Sequence, residues 1–278
     1  MAIGNSLSTE VLEVRLVSGG DISSAYTVTT SNGMAFLKVM PLSPGREMFV
    51  AEAADLNMLQ AHSSSLNIPE VLGMGVSGPY AFLMLEHLTE SQPSTHSWES
   101  LGIGLAELHK TSQPSFGLSS NNYIGSLTQP NHETASWPEF YARHRIQPMI
   151  DRAQGQFASQ DLKTWDLLRA RLPQLLPCTI PSLIHGDLWS GNVMNTKKGP
   201  AIYDPAIAFA DREMDLAMSK LFGGFPISFY SAYNNTWNIE PGFNDRLPLY
   251  QLYYLLVHVV LFGGHYVNSV RQVFARYN

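Results

Sequence analysis

The stretch Leu183-Ile-His-Gly-Asp-Leu-Trp-Ser-Gly-Asn192 decides the fold, because it leads from an apolar strand into a polar loop that carries reactive side chains. Asp187 and Asn192 lie five residues apart on this loop. A carboxylate and an amide oxygen on one turn can face a hydroxyl and a metal ion together, and Mg²⁺ prefers such oxygen ligands. Asp204 comes 12 residues after Asn192, at the end of another apolar strand, and offers a second carboxylate to the same ion.

Two residues upstream complete the set that phosphoryl transfer requires. Lys38 ends the strand-like run Ala35-Phe-Leu-Lys38, and Glu52 lies in the helical pattern that follows, where it could form an ion pair with Lys38. In kinases, a catalytic-loop Asp accepts the proton of the attacking hydroxyl, an Asn and a later Asp hold magnesium, and a strand lysine reaches the nucleotide phosphates. The order and spacing of all five residues predict a site of this kind, with ATP and Mg²⁺ as cofactors.

Two segments near these residues are predicted to hold the rest of the nucleotide. A Gly-rich link between the first two strands could lay its backbone N–H groups over the phosphates, although it is not a G-x-G-x-x-G motif. An apolar strand that ends in a polar dipeptide is typical of a hinge that receives adenine through backbone hydrogen bonds. The predicted nucleotide contacts in these two segments are Gly19, Gly20, Ser23, Glu86, His87 and Leu88.

Strand signals dominate the first third of the chain and helix signals dominate the rest. We therefore expect an α+β protein with a bilobal protein-kinase-like fold. Residues 1–86 would form a small antiparallel-sheet lobe that binds ATP, and residues 87–278 a mainly helical lobe for catalysis and substrate binding. Alternation and turn signals predict strands over 11–17, 25–30, 35–40, 70–76 and 81–86, and 3.6-residue periodicity predicts helices over 46–62, 97–110, 162–176, 214–221, 249–262 and 265–276.

Composition narrows the partners and the location. The net charge of −6 disfavours nucleic acid or an anionic membrane surface, since both reward a basic face. Cys178 is the only cysteine, which excludes an intramolecular disulfide and a Cys-rich zinc site. The N-terminal residues have no signal-peptide pattern, and the most apolar run, 252–262, is shorter than the roughly 18 residues of a membrane span. We expect a cytoplasmic protein.

Several polar residues near the reactive loop allow more than one interpretation. His185 is expected to scaffold the loop, because proton acceptance falls to Asp187. Asp215 either caps a helix or braces the loop. Asp211 and Glu213 could be solvated, and the sequence leaves their roles open.

Distinctive segments of the chain include His185–Asn192, Tyr203–Ala206, Asp211–Ala217, Phe225–Tyr233, Glu240–Phe243, Leu249–Leu256 and Leu261–Gly263. At these segments, and over nearly its whole length, the chain resembles the fructosamine kinase (ketosamine-3-kinase) family, whose relatives include the aminoglycoside and choline kinases. Asp204 is followed by Pro205, where aminoglycoside kinases usually carry an aromatic residue. Trp189, directly after Asp187-Leu188, also favours the ketosamine group.

The resemblance implies an enzyme that phosphorylates the 3-hydroxyl of a ketoamine, such as a fructosamine or a ribulosamine, free or bound to a protein. The phosphorylated adduct falls apart, so the family acts in deglycation. By the same resemblance, Asp187 is the base, Asn192 and Asp204 hold magnesium, and Lys38 with Glu52 positions ATP.

The resemblance also bears on the substrate pocket and on assembly. Trp189 would stack on the sugar beside the base, or else lie as a core aromatic under the loop. His258 would make a polar contact in the same pocket, or else be a satisfied core histidine. Some relatives form redox-linked dimers through a cysteine in the Gly-rich loop; this loop has none, so we expect a monomer without a cysteine-linked dimer.

Two other functions compete with this interpretation. An aminoglycoside- or choline-type phosphotransferase would keep the mechanism, and the aminoglycoside version would need an acidic pocket, to which Asp211, Glu213 and Glu240 could contribute. A non-catalytic pseudokinase, a binding module, should have lost the strand lysine, the base or a metal ligand, and all are present. A protein kinase is disfavoured, because only a short segment separates Asp204 from the next helical signal.

Overall fold

The computed structural model describes residues 10–17, 22–153 and 155–277. Its N-terminal part is an antiparallel sheet of five strands with the spatial order β1-β2-β3-β5-β4. A two-residue turn, Ser31-Asn32, joins β2 to β3, where Thr30 pairs with Gly33. The strands are β1 (Val11–Val17), β2 (Ser24–Thr30), β3 (Gly33–Pro41), β4 (Val71–Ser77) and β5 (Tyr80–Glu86).

Helix α1 (Leu42–His62) covers one face of this sheet. It starts a little before the predicted residue 46, with a non-helical residue at Ser43. The apolar stripe that predicted the helix is buried and packs on Leu83 and Leu85 of β5. Leu37 belongs to a separate cluster on the other face of the sheet. Because side chains alternate along a strand, Lys38 lies on the face that α1 covers.

The C-terminal part is mainly helical. Helix α8 runs through its core and packs against α4, α6 and α9. The helices are α2 (Thr95–His109), α3 (Trp137–Phe140), α4 (Gln147–Arg152), α5 (Ser159–Leu175), α6 (Glu213–Leu221), α7 (Ile227–Thr236), α8 (Phe243–Phe262) and α9 (Val267–Arg276), with a π-helical link over Tyr141–Ile146. The strand pairs are β6 (Asn122–Ile124) with β7 (Leu127–Gln129), β8 (Ser182–Ile184) with β11 (Ala208–Ala210), and β9 (Val193–Thr196) with β10 (Gly199–Ile202).

The observed elements confirm the predicted α+β fold class, while the lobe boundary at residues 86 and 87 stays a prediction. The patterns did not predict α7 or the β6–β7 hairpin. The three-residue strands are too short for alternation to be recognised, and α7 is rich in aromatic and Asn residues that disfavour helix on their own. In the described part of the chain, we find no helix with the length and apolar character needed to cross a membrane.

Helices α2 and α7 approach each other backbone to backbone at Gly102. A β-carbon on Gly102 would lie 2.3 Å from the carbonyl oxygen of Phe229 and 3.0 Å from the amide nitrogen of Tyr233. Only glycine permits this approach, because those atoms belong to the α7 backbone and cannot rotate away.

We therefore expect Gly102→Ala to lower the free energy of unfolding by about 1–3 kcal/mol, the usual cost of overpacking. Gly264→Ala is the matched control, since its β-carbon would meet nothing closer than the Gln156 side chain at 3.9 Å. Urea unfolding of both variants measures the difference. Equal midpoints for the two variants would show that α2 and α7 can separate without cost.

Candidate active site

The loop between β8 and β9 holds Asp187 and Asn192 against each other. The side-chain amide of Asn192 donates to Oδ2 of Asp187 at 3.1 Å and to the Asp187 backbone carbonyl at 2.9 Å. A single 3₁₀ turn over Ser190–Asn192 closes the loop. Asn192 is buried, whereas Asp187 is only half-buried and can reach a substrate. The structure therefore brings together the two residues that the five-residue spacing singled out.

Asp215 braces this loop from within the core. Its carboxylate accepts the backbone N–H groups of His185 at 2.7 Å and Gly186 at 2.8 Å, and its Oδ2 also contacts Nε2 of His109 at 3.1 Å. The bracing interpretation of Asp215 is confirmed, and the capping interpretation is wrong. His109 belongs to the same brace through Tyr233, whose hydroxyl lies 2.8 Å from Nδ1. No local pattern around His109 indicates this contact.

His185 scaffolds the loop as predicted. Its Nε2 donates to the carbonyl of Tyr203 at 3.0 Å, and its Nδ1 accepts the backbone N–H of Asp187 at 3.3 Å. Burial lowers the pKa of His185, so the ring is neutral and can donate from one nitrogen while it accepts at the other. The next residue, Gly186, has a φ of +83°. A β-carbon there would lie 1.9 Å from the carbonyl oxygen of Ala206, so Gly186 lets the two loops touch.

The loop that contains Ala206 also places Asp204 beside Lys38 of the five-stranded sheet. Lys38 Nζ contacts Oδ1 of Asp204 at 2.5 Å and Oε1 of Glu52 at 2.6 Å. Burial by itself would lower the pKa of Lys38, but the two carboxylates outweigh it and hold that pKa above its ordinary value. The ammonium is therefore charged at neutral pH. Asp204 has a φ of +55°, which is uncommon outside glycine.

The electrostatics and donor set of this cluster fit a base beside a magnesium site. Burial raises the pKa of Asp187 to about 7, and the hydrogen bond from Asn192 offsets this only in part. Asn192 uses its amide nitrogen on Asp187, which leaves its amide oxygen for a ligand. The Asp204 side chain is 43% exposed. An amide oxygen and a carboxylate are sufficient protein ligands for Mg²⁺, which usually keeps several waters and takes phosphate oxygens.

A wider metal cluster is absent from the described ranges. Within residues 10–17, 22–153 and 155–277, no group of three or more His, Cys, Asp or Glu side chains could hold a metal ion.

The predicted hinge residues line a cavity of about 440 Å³. This cavity lies between Glu86, His87 and Leu88, the end of α1 and the turn between β9 and β10, and none of the reactive residues lines it. The backbone N–H of Glu86 donates to the Glu70 carbonyl at 2.8 Å, and its side chain pairs with Lys198 at 3.1 Å. A backbone donor for adenine would therefore come from His87 or Leu88.

The predicted phosphate contacts Gly19 and Gly20 lie outside the described residues. Ser23 lies in a bend just before β2 and is half-buried.

Trp189, which follows Asp187 by two residues, belongs to one row of aromatic side chains with His258. Trp189 is 37% exposed, so the interpretation as a buried core aromatic is wrong. Its ring meets the Phe222 ring edge-on at 6.3 Å, and Phe222 lies 4.8 Å from the His258 ring. His258 is half-buried, and its Nδ1 donates to the Tyr254 carbonyl at 2.7 Å.

Asp211 and Glu213 are not solvated, so that interpretation is wrong. Each is 1% exposed. Glu213 receives two hydrogen bonds from Arg246, at 2.6 and 2.9 Å, and Asp211 accepts the hydroxyl of Tyr250 at 2.6 Å. Both partners come from α8, more than 30 residues later, which local sequence cannot reveal. Glu240 remains 62% exposed.

Comparison with known proteins agrees with this geometry. The fructosamine kinase family matches over residues 4–277. A protein named "Probable ketoamine kinase" from Lactiplantibacillus plantarum is 36% identical over 274 residues, which cover 97% of this chain and 95% of that protein. Ketosamine-3-kinase of Mus musculus is 34% identical over 280 residues, which cover 90% of each chain.

Solved structures agree as well. The Thermobifida fusca crystal structure named "Putative fructosamine-3-kinase" superposes with a TM-score of 0.90 at 33% identity, covering 99% of this chain and 96% of that one. Aminoglycoside phosphotransferase APH(4)-Ia superposes with a TM-score of 0.67 at 17% identity, covering 100% and 97%, and shares the fold alone.

The fold and the relatives define the class as a phosphotransferase of kinase-like fold that acts on a hydroxyl group. Within that class, the chain belongs to the fructosamine kinase family, as its sequence motifs predicted.

The brace at Asp215 can be tested through stability. Asp215→Ala leaves the N–H groups of His185 and Gly186 buried without an acceptor, so we expect a loss of about 2–5 kcal/mol in the free energy of unfolding. Asp166→Ala, at an exposed position of α5, should change it by less than about 0.5 kcal/mol. Urea unfolding measures both values. A loss below about 1 kcal/mol would mean that water or another group replaces the carboxylate.

Proposed function

We propose that this chain transfers the γ-phosphoryl group of ATP to the 3-hydroxyl of a ketoamine, such as a fructosamine or a ribulosamine. The observation that carries the proposal is the contact of Lys38 with both Glu52 and Asp204, at 2.6 and 2.5 Å, next to the Asp187–Asn192 pair. The substrate class is supported by the similarity to ketosamine-3-kinase over 90% of both chains. The proposal includes a cytoplasmic monomer that acts on free or protein-bound ketoamines.

Each reactive residue has one task in the proposed transfer. Asp187 accepts the proton of the 3-hydroxyl as its oxygen bonds to the γ-phosphorus. The bond from that phosphorus to the β–γ bridging oxygen breaks, and ADP leaves with the electron pair. Lys38 binds the α- and β-phosphates, and Glu52 holds its ammonium in place. Magnesium, when bound, neutralises charge on the β- and γ-phosphate oxygens, and Asn192 and Asp204 would hold it.

Nucleotide binding is supported by proteins of the same fold. Structures of APH(4)-Ia variants contain ADP or AMP-PNP together with hygromycin B. We propose that adenine lies against the hinge at Glu86–Leu88 and that Gly19, Gly20 and Ser23 cover the phosphates. Phosphoryl transfer asks the protein mainly for positioning and charge neutralisation, which these contacts would supply.

The acceptor is proposed to lie against the aromatic row. Trp189 is exposed two residues after the base, and an indole face is suited to stacking on a sugar. His258 would offer a polar contact at the far end of the row. The 3-phosphate product falls apart, so the reaction would serve deglycation.

The buried partners of two carboxylates weigh against an aminoglycoside as the acceptor. A polycation needs free carboxylates, and two of the three candidates, Asp211 and Glu213, are 1% exposed and already hydrogen-bonded. The pseudokinase alternative gains no support either, because the strand lysine, the base and both metal ligands are present and converge.

The acceptor is tested by measuring ATP consumption with Mg²⁺ on a fructosamine, a ribulosamine, an aminoglycoside, choline and no acceptor. We expect kcat/KM on at least one ketoamine to exceed that on the other acceptors by at least roughly 100-fold, since an acceptor of a different shape leaves polar groups of the site unpaired. Phosphorus NMR of the product should place the phosphate on the 3-oxygen. Turnover on the aminoglycoside or choline alone would keep the mechanism and refute the substrate. Bound ATP with no turnover on any acceptor would favour the pseudokinase.

The roles of Asp187 and Asp204 are separated by two substitutions. Asp187→Asn should bind Mg·ATP almost normally while kcat falls by roughly 10²–10⁴, the scale of a lost general base. Asp204→Ala should weaken Mg·ATP binding and activity together, because it removes a metal ligand. Titration calorimetry and steady-state kinetics measure the two effects. Near-normal turnover in Asp187→Asn, or an unchanged magnesium dependence in Asp204→Ala, would refute the respective role.

A further inference from the structure

We propose that Asp55 is a positioning residue that holds helix α1 against the loop carrying Asp204, so that the Lys38–Glu52 pair is permanently assembled. This inference rests on the proposed function for its kinetic consequences. Asp55 follows Glu52 by three residues on the same helix, and positions so spaced lie on the same side of it. Glu52 faces the lysine, and Asp55 faces the C-terminal part of the chain.

The contacts of Asp55 cross between the two parts of the molecule. Its Oδ2 accepts the side-chain amide of Asn122 at 2.7 Å and the backbone N–H of Ile207 at 3.4 Å. The same Asn122 nitrogen donates to the carbonyl of Ile207 at 2.9 Å. Ile207 lies three residues after Asp204. Both backbone groups of Ile207 are therefore bound to this cluster, which ties α1 to the metal loop.

The cluster is buried and anchored on its far side. Asp55 is 5% exposed, and a polar group buried to this extent must find partners to offset its desolvation. Gln129 donates to the Asn122 side chain at 2.9 Å and to the Ala206 carbonyl at 3.1 Å, and it accepts the Tyr253 hydroxyl at 2.7 Å. We call the hydrogen-bonded chain from Asp55 through Asn122 and Gln129 the lock. It extends from α1 through the β6–β7 hairpin to Tyr253 of α8, the core helix of the C-terminal part.

The consequence is a site that needs no external signal to assemble. In many protein kinases, phosphorylation of an activation segment and movement of the helix control whether the strand lysine and the helix glutamate pair. Here α6 begins at Glu213, soon after Asp204, so little chain is available for such a segment. A hydrogen-bonded lock between α1 and the loop at Ile207 would do the same work permanently.

The test compares Asp55→Leu and Asp55→Asn with the wild-type chain in steady-state assays on a fructosamine with Mg·ATP. We expect kcat of Asp55→Leu to fall roughly 10- to 100-fold, because a displacement of about 1 Å can cost that much. The KM for the fructosamine should stay within roughly threefold, since the substitution does not alter the aromatic row proposed to bind the acceptor. Asp55→Asn should keep kcat within roughly fivefold, because a carboxamide oxygen in place of Oδ2 can accept both hydrogen bonds.

Leu59→Ala is the matched control for general loss of stability. Leu59 is fully buried on the same helix and takes no part in the lock. Its loss should lower the melting temperature, yet kcat measured well below that temperature should match the wild-type value. If Asp55→Leu and Leu59→Ala reduce kcat alike, Asp55 is merely structural and the inference fails. It also fails if Asp55→Asn is as inactive as Asp55→Leu.

Asn122→Ala removes the partner of Asp55 and so tests the same contact from its other side. It replaces Asp55→Leu as the test if that variant does not fold. The lock predicts the same fall in kcat with an unchanged fructosamine KM. The double variant should lose less than the product of the two single effects, because both remove one interaction. Fully multiplicative effects would show that the two residues act independently and would overturn the lock.

Two measurements test this inference independently of which acceptor the enzyme uses. Hydrogen exchange should accelerate at the Ile207 amide in Asp55→Leu but not in Leu59→Ala, and binding of Mg·AMP-PNP should weaken in Asp55→Leu alone. Both readouts work without any ketoamine. A wild-type chain that fails on every ketoamine would refute the proposed function, and these two readouts would still decide for or against the lock.

Discussion

The ammonium of Lys38, held between the carboxylates of Glu52 and Asp204, is the contact on which the rest of the site depends. A buried ammonium is costly unless its charge is compensated and its N–H groups are bonded. Strand β3 supplies the lysine, α1 supplies one carboxylate, and the chain after β10 supplies the other. Three elements from both parts of the molecule are thereby brought to one point, where a nucleotide and a metal ion would meet.

Around this contact, irregular backbone is held by side chains that stay away from solvent. The loops at Gly186 and Ile207 have no strand partner for all of their N–H groups, and buried backbone groups require one. Asp215 supplies the acceptor for the first loop, and Asp55 supplies it for the second. The reactive Asp187 can thus remain partly exposed, because the rigidity of its loop comes from residues beneath it.

Two buried acidic side chains near the site hold helices together and are not free to bind a ligand. Asp211 bonds to Tyr250 and Glu213 bonds to Arg246, and these contacts fix the start of α6 to α8. An exposed aromatic side chain, Trp189, follows Asp187 by two residues instead. A fold shared with APH(4)-Ia at 17% identity therefore says little about the acceptor, because the acceptor is chosen by the side chains that line the site.

Local patterns were enough to predict the fold class and most of the sheet with α1. The five-residue spacing also singled out Asp187 and Asn192 as neighbours, because periodicity and spacing are local properties of a sequence. These patterns left the short β6–β7 hairpin and α7 unpredicted, since short or aromatic-rich segments carry weak local signals. The folded chain was needed to show that Asp215 is a brace, that Asp211 is buried, and that Asp55 bonds to groups 67 and 152 residues away. The role of a buried carboxylate depends on the hydrogen-bond donors that folding brings to it, and those donors lie far away in the sequence.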